Sequence, residues 1–273
     1  MHVVRVDNLD DPRLAVYRSL RRIAALKKGA AFVAEGARLV RKLLATGLPI
    51  ESILLDEKWL EALSPALEAH HDSALPVYLT SKDELQRIIG YHVHQGVMAV
   101  ARAPQAPPLN DVLSGASSPL LIALAGVSSH DNVGGILRTA AGFGATGMLL
   151  DRASCDPFVR RAARTSMGAI FALPIWRVDD LPATLIRLRD EHGIRSLAAH
   201  VHEPYEDLPT ANLSGGTVIV LGAEGTGVPD DVVAACDASV RIPMDPSFDC
   251  FNVATAAAII MYEVARQRSS SER

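Results

Sequence analysis

Two rhythms of apolar residues alternate along most of this chain. Mostly apolar runs, broken only by Ser196 and His200, occupy residues 120–125, 148–150, 169–173, 196–201 and 218–221. Between them lie stretches at 133–143, 157–167, 182–191 and 252–266 whose apolar or small positions recur every three to four residues. The first pattern predicts strands buried on both faces and the second predicts helices, so this region reads as an α/β parallel sheet covered on both sides. Such sheets bind ligands beyond the carboxyl ends of their strands.

Upstream the pattern is that of a smaller α/β unit. Leu39, Val40, Leu43 and Leu44 predict a helix over 37–46, residues 50–55 and 76–80 read as strands, and Ser81-Lys82-Asp83-Glu84 is a capping box opening a helix to Ile89. Residues 96–101 close the unit as an apolar strand. Pro104, Pro107, Pro108 and Pro119, with Ser114, Gly115, Ser117 and Ser118, then mark a linker. The expected organisation is a first domain over 1–103, a linker over 104–119 and a second domain over 120–273.

Composition narrows the class. A chain of 273 residues with 49% hydrophobic positions can bury two cores. Cys155, Cys236 and Cys250 are too far apart for a C-x-x-C site, which fits a reducing cytoplasm and argues against structural zinc. The start of the chain lacks a signal-peptide core and no stretch approaches a membrane span, so a soluble protein is expected. Net charge is −4, yet the first fifty residues carry ten basic side chains against four acidic ones. A basic end on an acidic protein suits either a phosphate backbone or a solvated helix face.

Three short patterns suggest chemistry that their context does not support. Gly142-Phe-Gly-Ala-Thr-Gly147 matches the dinucleotide fingerprint but closes a predicted helix instead of opening one, so a helix cap and turn is expected. His92 with His94, and His200 with His202, alternate along extended segments without a ligand set at metal spacing. Ser128, Ser129, His130 and Asp131 are sequence neighbours with no nucleophile elbow around them.

Three loops carry the stronger signal. In the first, residues 126–138, Asn132 sits where a helix N-cap belongs, and Gly134-Gly135 permits close backbone approach. Arg138 follows on an otherwise apolar and small-residue helix, where it needs either a carboxylate partner or a polyanionic ligand. The second, Gly222-Ala-Glu-Gly-Thr-Gly227, follows an apolar strand and offers main-chain groups to a ligand. It lacks the Lys-Ser/Thr of a P-loop. The third runs from the short apolar strand Arg241-Ile-Pro-Met244 through a turn-rich insert to Cys250-Phe-Asn252 and an Ala-rich helix that Asn252 can cap.

In this order and context the three loops resemble those of the SpoU/TrmH family of SPOUT-class RNA 2′-O-methyltransferases. The resemblance covers residues 120–266 and extends upstream, where F-V-A-E-G-A-R-L-V and H-Q-G-V-M-A-V look like the family's ribosomal-protein-like substrate-binding module. It implies a deep trefoil knot, homodimers joined through the knot region, S-adenosyl-L-methionine as cofactor and structured RNA as substrate, ribosomal in preference to transfer RNA. Asn132, Arg138, Glu224 and Asn252 match the family's catalytic motif positions. Leu221, Gly222, Ile242, Met244 and Phe251 fall at its cofactor contacts, and no metal or membrane is implied. Cys250-Phe251-Asn252 departs from the family's usual Ser-Leu-Asn, which replaces a hydroxyl with a weaker donor. Arg138 is the family's proposed base. Because a guanidinium hardly deprotonates, holding the RNA phosphate while that phosphate or water takes the proton is the better physical role. The alternatives are a transfer-RNA methyltransferase and a non-catalytic RNA-binding protein; a nucleotide-dependent oxidoreductase is disfavoured by the misplaced glycines.

Overall fold

A computed structural model describes residues 2–8, 10–18, 31–92, 95–200 and 204–271. Arg21, Arg22, Lys27 and Lys28 of the basic end, and His94 and His202, lie outside the described residues. The chain forms two compact units. The first comprises Met1–Pro104 with the returning segment Phe158–Phe171, and the second comprises Gln105–Pro157 with Ala172–Arg273.

The first unit begins with β1 (His2–Arg5), α1 (Ala15–Arg18), β2 (Phe32–Glu35), α2 (Ala37–Leu44) and β3 (Ile50–Leu55). It continues with α3 (Glu57–Glu68), β4 (Pro76–Leu79), α4 (Lys82–Ile89) and β5 (Val97–Ala101). The five strands lie in the order β1-β4-β3-β5-β2, with β5 antiparallel to both of its neighbours. Tyr17, Leu54, Leu85 and Met98 pack one face, and the Tyr17 hydroxyl meets Ser52 Oγ at 2.9 Å. The capping box at α4 is present as predicted, with Ser81 and Glu84 exchanging side-chain-to-backbone bonds.

The segment Phe158–Phe171 packs within this first unit. Phe32 lies 5.6 Å from Phe158 and 5.7 Å from Phe171 between ring centroids. Lys42 Nζ donates to the Met167 carbonyl at 2.7 Å, and its stem lies so close to Gly168 that a Cβ there would come within 2.6 Å of it.

The second unit opens with α5 (Leu109–Ser114), β6 (Leu120–Ala125), α6 (His130–Gly142) and β7 (Gly147–Leu150); α7 (Arg160–Thr165) belongs to the returning segment. There follow β8 (Ile175–Arg177), α8 (Leu181–His192), β9 (Arg195–Ala199) and β10 (Glu206–Asp207). The chain ends with β11 (Thr217–Gly222), α9 (Asp230–Ala235), β12 (Ala238–Arg241) and α10 (Val253–Ser271). Seven strands form one parallel sheet in the order β10-β12-β9-β11-β6-β7-β8, as the mostly apolar runs predict. Leu121, Leu149, Leu185, Val220 and Val232 are among its core residues.

Several local expectations change. The residues read as a linker contain α5, whose Leu113 is buried in the second core. The strand expected over 169–173 is instead a 3-10 turn at Ala169–Phe171, and pairing begins only after Pro174. Proline supplies no N–H to a ladder, and here its carbonyl accepts from Met148 N just before β8 starts. The strand expected at 241–244 ends at Arg241.

The end of α10 is tied down through main-chain carbonyls. Arg268 donates to the carbonyls of Ser118 and Gly215, each at 2.7 Å, and burial lowers its pKa from the ordinary value. These bonds join the last helix to the entries of β6 and β11.

Candidate active site

The second loop is built around a glycine that cannot be replaced without moving backbone. A Cβ on Gly222 would lie 2.1 Å from the Gly227 carbonyl carbon and 2.2 Å from Val228 N. The loop closes on itself through Ala223 N to Gly227 O at 3.0 Å and Gly227 N to Ala223 O at 2.9 Å. Gly225 and Gly227 have φ of 85° and 72°, a region that glycine enters at little cost. The tight closure presents Glu224 at the exposed tip.

Glu224 joins the other two loops. Its Oε1 accepts from Asn132 Nδ2 at 2.9 Å and from Asn252 Nδ2 at 2.5 Å, while Asn132 Oδ1 accepts from Asn252 Nδ2 at 3.1 Å. Asn252 Oδ1 accepts from the backbone N–H groups of Ala254 and Thr255, capping α10 as expected. Asn132 is not the N-cap of α6. Ser129 takes that position, its hydroxyl accepting from Asn132 N. Asn132 falls in the first turn, 8% exposed, with its side chain turned to Glu224 and Asn252. Three residues distant in sequence thus form one closed polar cluster.

Arg138 stands outside that cluster. Six residues beyond Asn132, it lies about 240° further around the helix. It is exposed and makes no hydrogen bond or ion pair among the described residues. Of the two roles open to it, pairing with a neighbouring carboxylate is therefore not the one seen.

Beside the cluster, beyond the carboxyl ends of β9, β11 and β12, is a cavity of 420 Å³. Its volume lies within the range of about 300–1,000 Å³ usual for small-molecule sites. Leu221, Gly222, Ile242, Met244 and Phe251 all line it, as do Glu224 and Asn252. Ala256 and Ile260, not among the expected site residues, add to the wall from α10 beside Val253. Their i, i+4, i+8 spacing from Asn252 was the available signal, since it places all three on one helix face. Aliphatic walls suited to a purine, a glycine-rich backbone edge and one carboxylate are a donor set that fits S-adenosylmethionine.

Cys250 also lines the cavity and is exposed. Burial pushes Cys155 up to about 11 and Cys236 up to about 12, so neither forms much thiolate at pH 8. Brief alkylation at pH 8 followed by peptide mass mapping is therefore expected to mark Cys250 first, and saturating S-adenosylmethionine should slow that reaction. Equal labelling of all three thiols would contradict this account.

The other sequence patterns resolve structurally. Gly142 ends α6, Gly144 has φ of 69° and Gly147 begins β7, so the apparent dinucleotide fingerprint is a helix end and turn. Ser129 is a helix cap, and His92 Nδ1 lies 2.6 Å from Gln86 Oε1. Among the described residues no group of three His, Cys, Asp or Glu side chains is arranged to hold a metal. No described helix is long and apolar enough to cross a membrane.

Comparison with known proteins converges on one family. Residues 119–262 match the SpoU rRNA Methylase family, and residues 33–107 match the RNA 2′-O ribose methyltransferase substrate-binding family. An uncharacterized tRNA/rRNA methyltransferase of Mycobacterium tuberculosis is 36% identical over 94% of this chain and 90% of its own length. The 23S rRNA (guanosine-2′-O-)-methyltransferase RlmB of Haemophilus ducreyi is 31% identical over 81% of this chain and 91% of its own. Among solved structures, the AdoMet-bound rRNA methyltransferase of Sinorhizobium meliloti superposes with a TM-score of 0.82 at 26% identity, covering 97% of this chain and 98% of that one. With matching models over both parts of the chain, and relatives aligned over most of its length, the protein belongs to the SpoU family of RNA methyltransferases.

Proposed function

We propose that this protein transfers a methyl group from S-adenosylmethionine to a ribose 2′-hydroxyl of ribosomal RNA. The observation that carries the reading is the Asn132–Glu224–Asn252 cluster bordering a cavity lined by Leu221, Gly222, Ile242, Met244 and Phe251. The ribosomal preference rests on the RlmB relatives.

When bound, S-adenosylmethionine supplies an electrophilic methyl group on a sulfonium sulfur. Glu224 holds the amide donors of Asn132 and Asn252 through Oε1, leaving Oε2 without a hydrogen bond among the described residues. That oxygen is available to orient the incoming hydroxyl or to face the sulfonium charge. The cluster would hold the attacking ribose hydroxyl in line with that methyl group. Arg138 binds the RNA phosphate, and the phosphate or water takes the hydroxyl proton. An exposed arginine with no carboxylate partner is suited to that task, and its outward direction suits a site shared between two copies of the chain. We read the assembly as a homodimer through the second unit, with the chain forming the deep trefoil knot of its family, in the cytoplasm.

The decisive experiment is ribose-methylation mapping of total RNA from a deletion strain, with purified protein and labelled S-adenosylmethionine restoring the lost site. The expected result is one missing 2′-O-methyl nucleotide in ribosomal RNA. A missing mark in transfer RNA would redirect the substrate, and no missing mark with no restored transfer would leave an RNA-binding protein.

A further inference from the structure

We infer that Glu35 is a positioning residue for RNA binding, holding Arg160 against Tyr91 as a preformed contact for an RNA phosphodiester. Glu35 is the last residue of β2 and only 7% exposed. A carboxylate so buried needs charge compensation, and among the described residues the returning segment supplies two cations to it. Arg160 Nη1 donates to Glu35 Oε2 at 2.8 Å, and Arg164 Nη1 lies 3.9 Å from Oε1. The Arg160 guanidinium also sits 4.0 Å from the Tyr91 ring centroid, and the Tyr91 hydroxyl donates to Glu35 Oε2 at 3.5 Å.

One guanidinium is thus restrained twice, by the carboxylate and by the ring face. Its side chain nevertheless remains 40% exposed. An arginine whose rotamer is already fixed loses little entropy on gripping a phosphate, and its planar fork matches phosphate oxygens. The surroundings favour an anion, because Arg160, Arg161 and Arg164 share α7 with Glu35 as the buried counter-charge. Glu35 and Tyr91 both fall within residues 33–107, the stretch matched to the substrate-binding family. The segment is held in place by Phe32 against Phe158 and Phe171 and by Lys42 on Met167, so Glu35 is not its only anchor.

The inference rests on the RNA-substrate reading, and its test separates the two by sign. Removing an acid from an RNA-binding surface should, by charge alone, tighten RNA binding. If Glu35 positions Arg160, Glu35→Gln weakens it instead. Equilibrium binding and steady-state methylation would be measured with ribosomal RNA from the deletion strain across a salt series. The expected outcome is a rise of roughly five- to tenfold in Kd and KM for RNA, with the salt slope shallower by about 0.7–0.9 for a lost phosphate contact. kcat at saturating RNA and the affinity for S-adenosylmethionine should hold. Tyr91→Phe should retain RNA binding and Tyr91→Leu should lose it, since only the first keeps a ring under the guanidinium. Glu61→Gln, which removes an exposed acid of α3, should not weaken binding. Equal or tighter RNA binding by Glu35→Gln with an unchanged salt slope would overturn the inference. Should Glu35→Gln not fold, Arg160→Lys decides, because it keeps the charge but not the fork: wild-type KM in that variant overturns the inference too. Absence of methyl transfer by the unaltered protein would instead count against the parent reading.

Discussion

Arg138→Lys is expected to lower kcat by about 10²–10³-fold, the scale seen when one transition-state donor is removed, while S-adenosylmethionine binds as before. The charge is conserved in this variant, so the loss would come from geometry. A lysine presents a compact point charge where the guanidinium offers a fork that can grip two phosphate oxygens at once. Cofactor affinity should survive because Arg138 is not among the residues lining the cavity. Calorimetric titration of cofactor alongside single-turnover methylation would separate the two quantities. Near-normal turnover would remove Arg138 from the reaction. The outward direction of the side chain allows a second measurement. If two copies share each site, mixing Arg138→Lys with Asn252→Ala subunits should restore up to about a quarter of wild-type activity, since half the random pairs are mixed and each carries one intact site. A mixture with no more activity than its parents would place the whole site within one chain.

Gly222→Ala should have the opposite signature, with cofactor binding failing first. The added methyl would sit 2.1 Å from the Gly227 carbonyl carbon, and backbone on both sides must shift to admit it. Overpacking of a well-filled site costs about 1–3 kcal/mol even where side chains can yield. Here the obstacle is main chain, so the upper end applies. Moving Gly227 breaks the paired bonds with Ala223 that close the loop, which displaces Glu224 from both asparagines. Affinity for S-adenosylmethionine should fall at least tenfold, with a melting midpoint lower by about 2–4 °C for each kcal/mol lost. Wild-type cofactor affinity in Gly222→Ala would show that this loop does not shape the pocket.

The predictability of these features followed the range of the interactions behind them. The parallel sheet was legible because mostly apolar strands admit few other solutions, and the α4 capping box because its bonds span three residues. The approach of Asn132, Glu224 and Asn252 was not encoded locally at all; resemblance to a family supplied it, and the tertiary hydrogen bonds explain it. Asn132 was misplaced at the helix start because Asn and Ser are both good caps. The deciding factor was a partner 92 residues away, Glu224, which draws Asn132 inward and leaves the cap to Ser129. Residues 169–173 read as a strand because they are apolar, yet Ala169–Phe171 packs within the first unit, where the Phe171 ring meets Phe32. No local periodicity could reveal that destination.

That destination constrains how such proteins can exchange parts. Residues 158–171 lie within the stretch matched to the methylase family, yet they pack within the first unit, against Phe32. A fragment ending at residue 104 would uncover Phe32 and leave Glu35 without Arg160 and Arg164. Grafting a different substrate-binding module onto the methyltransferase therefore means transplanting two separate pieces of gene. A substrate-binding module exchanged into this chain is expected to need a matching return segment.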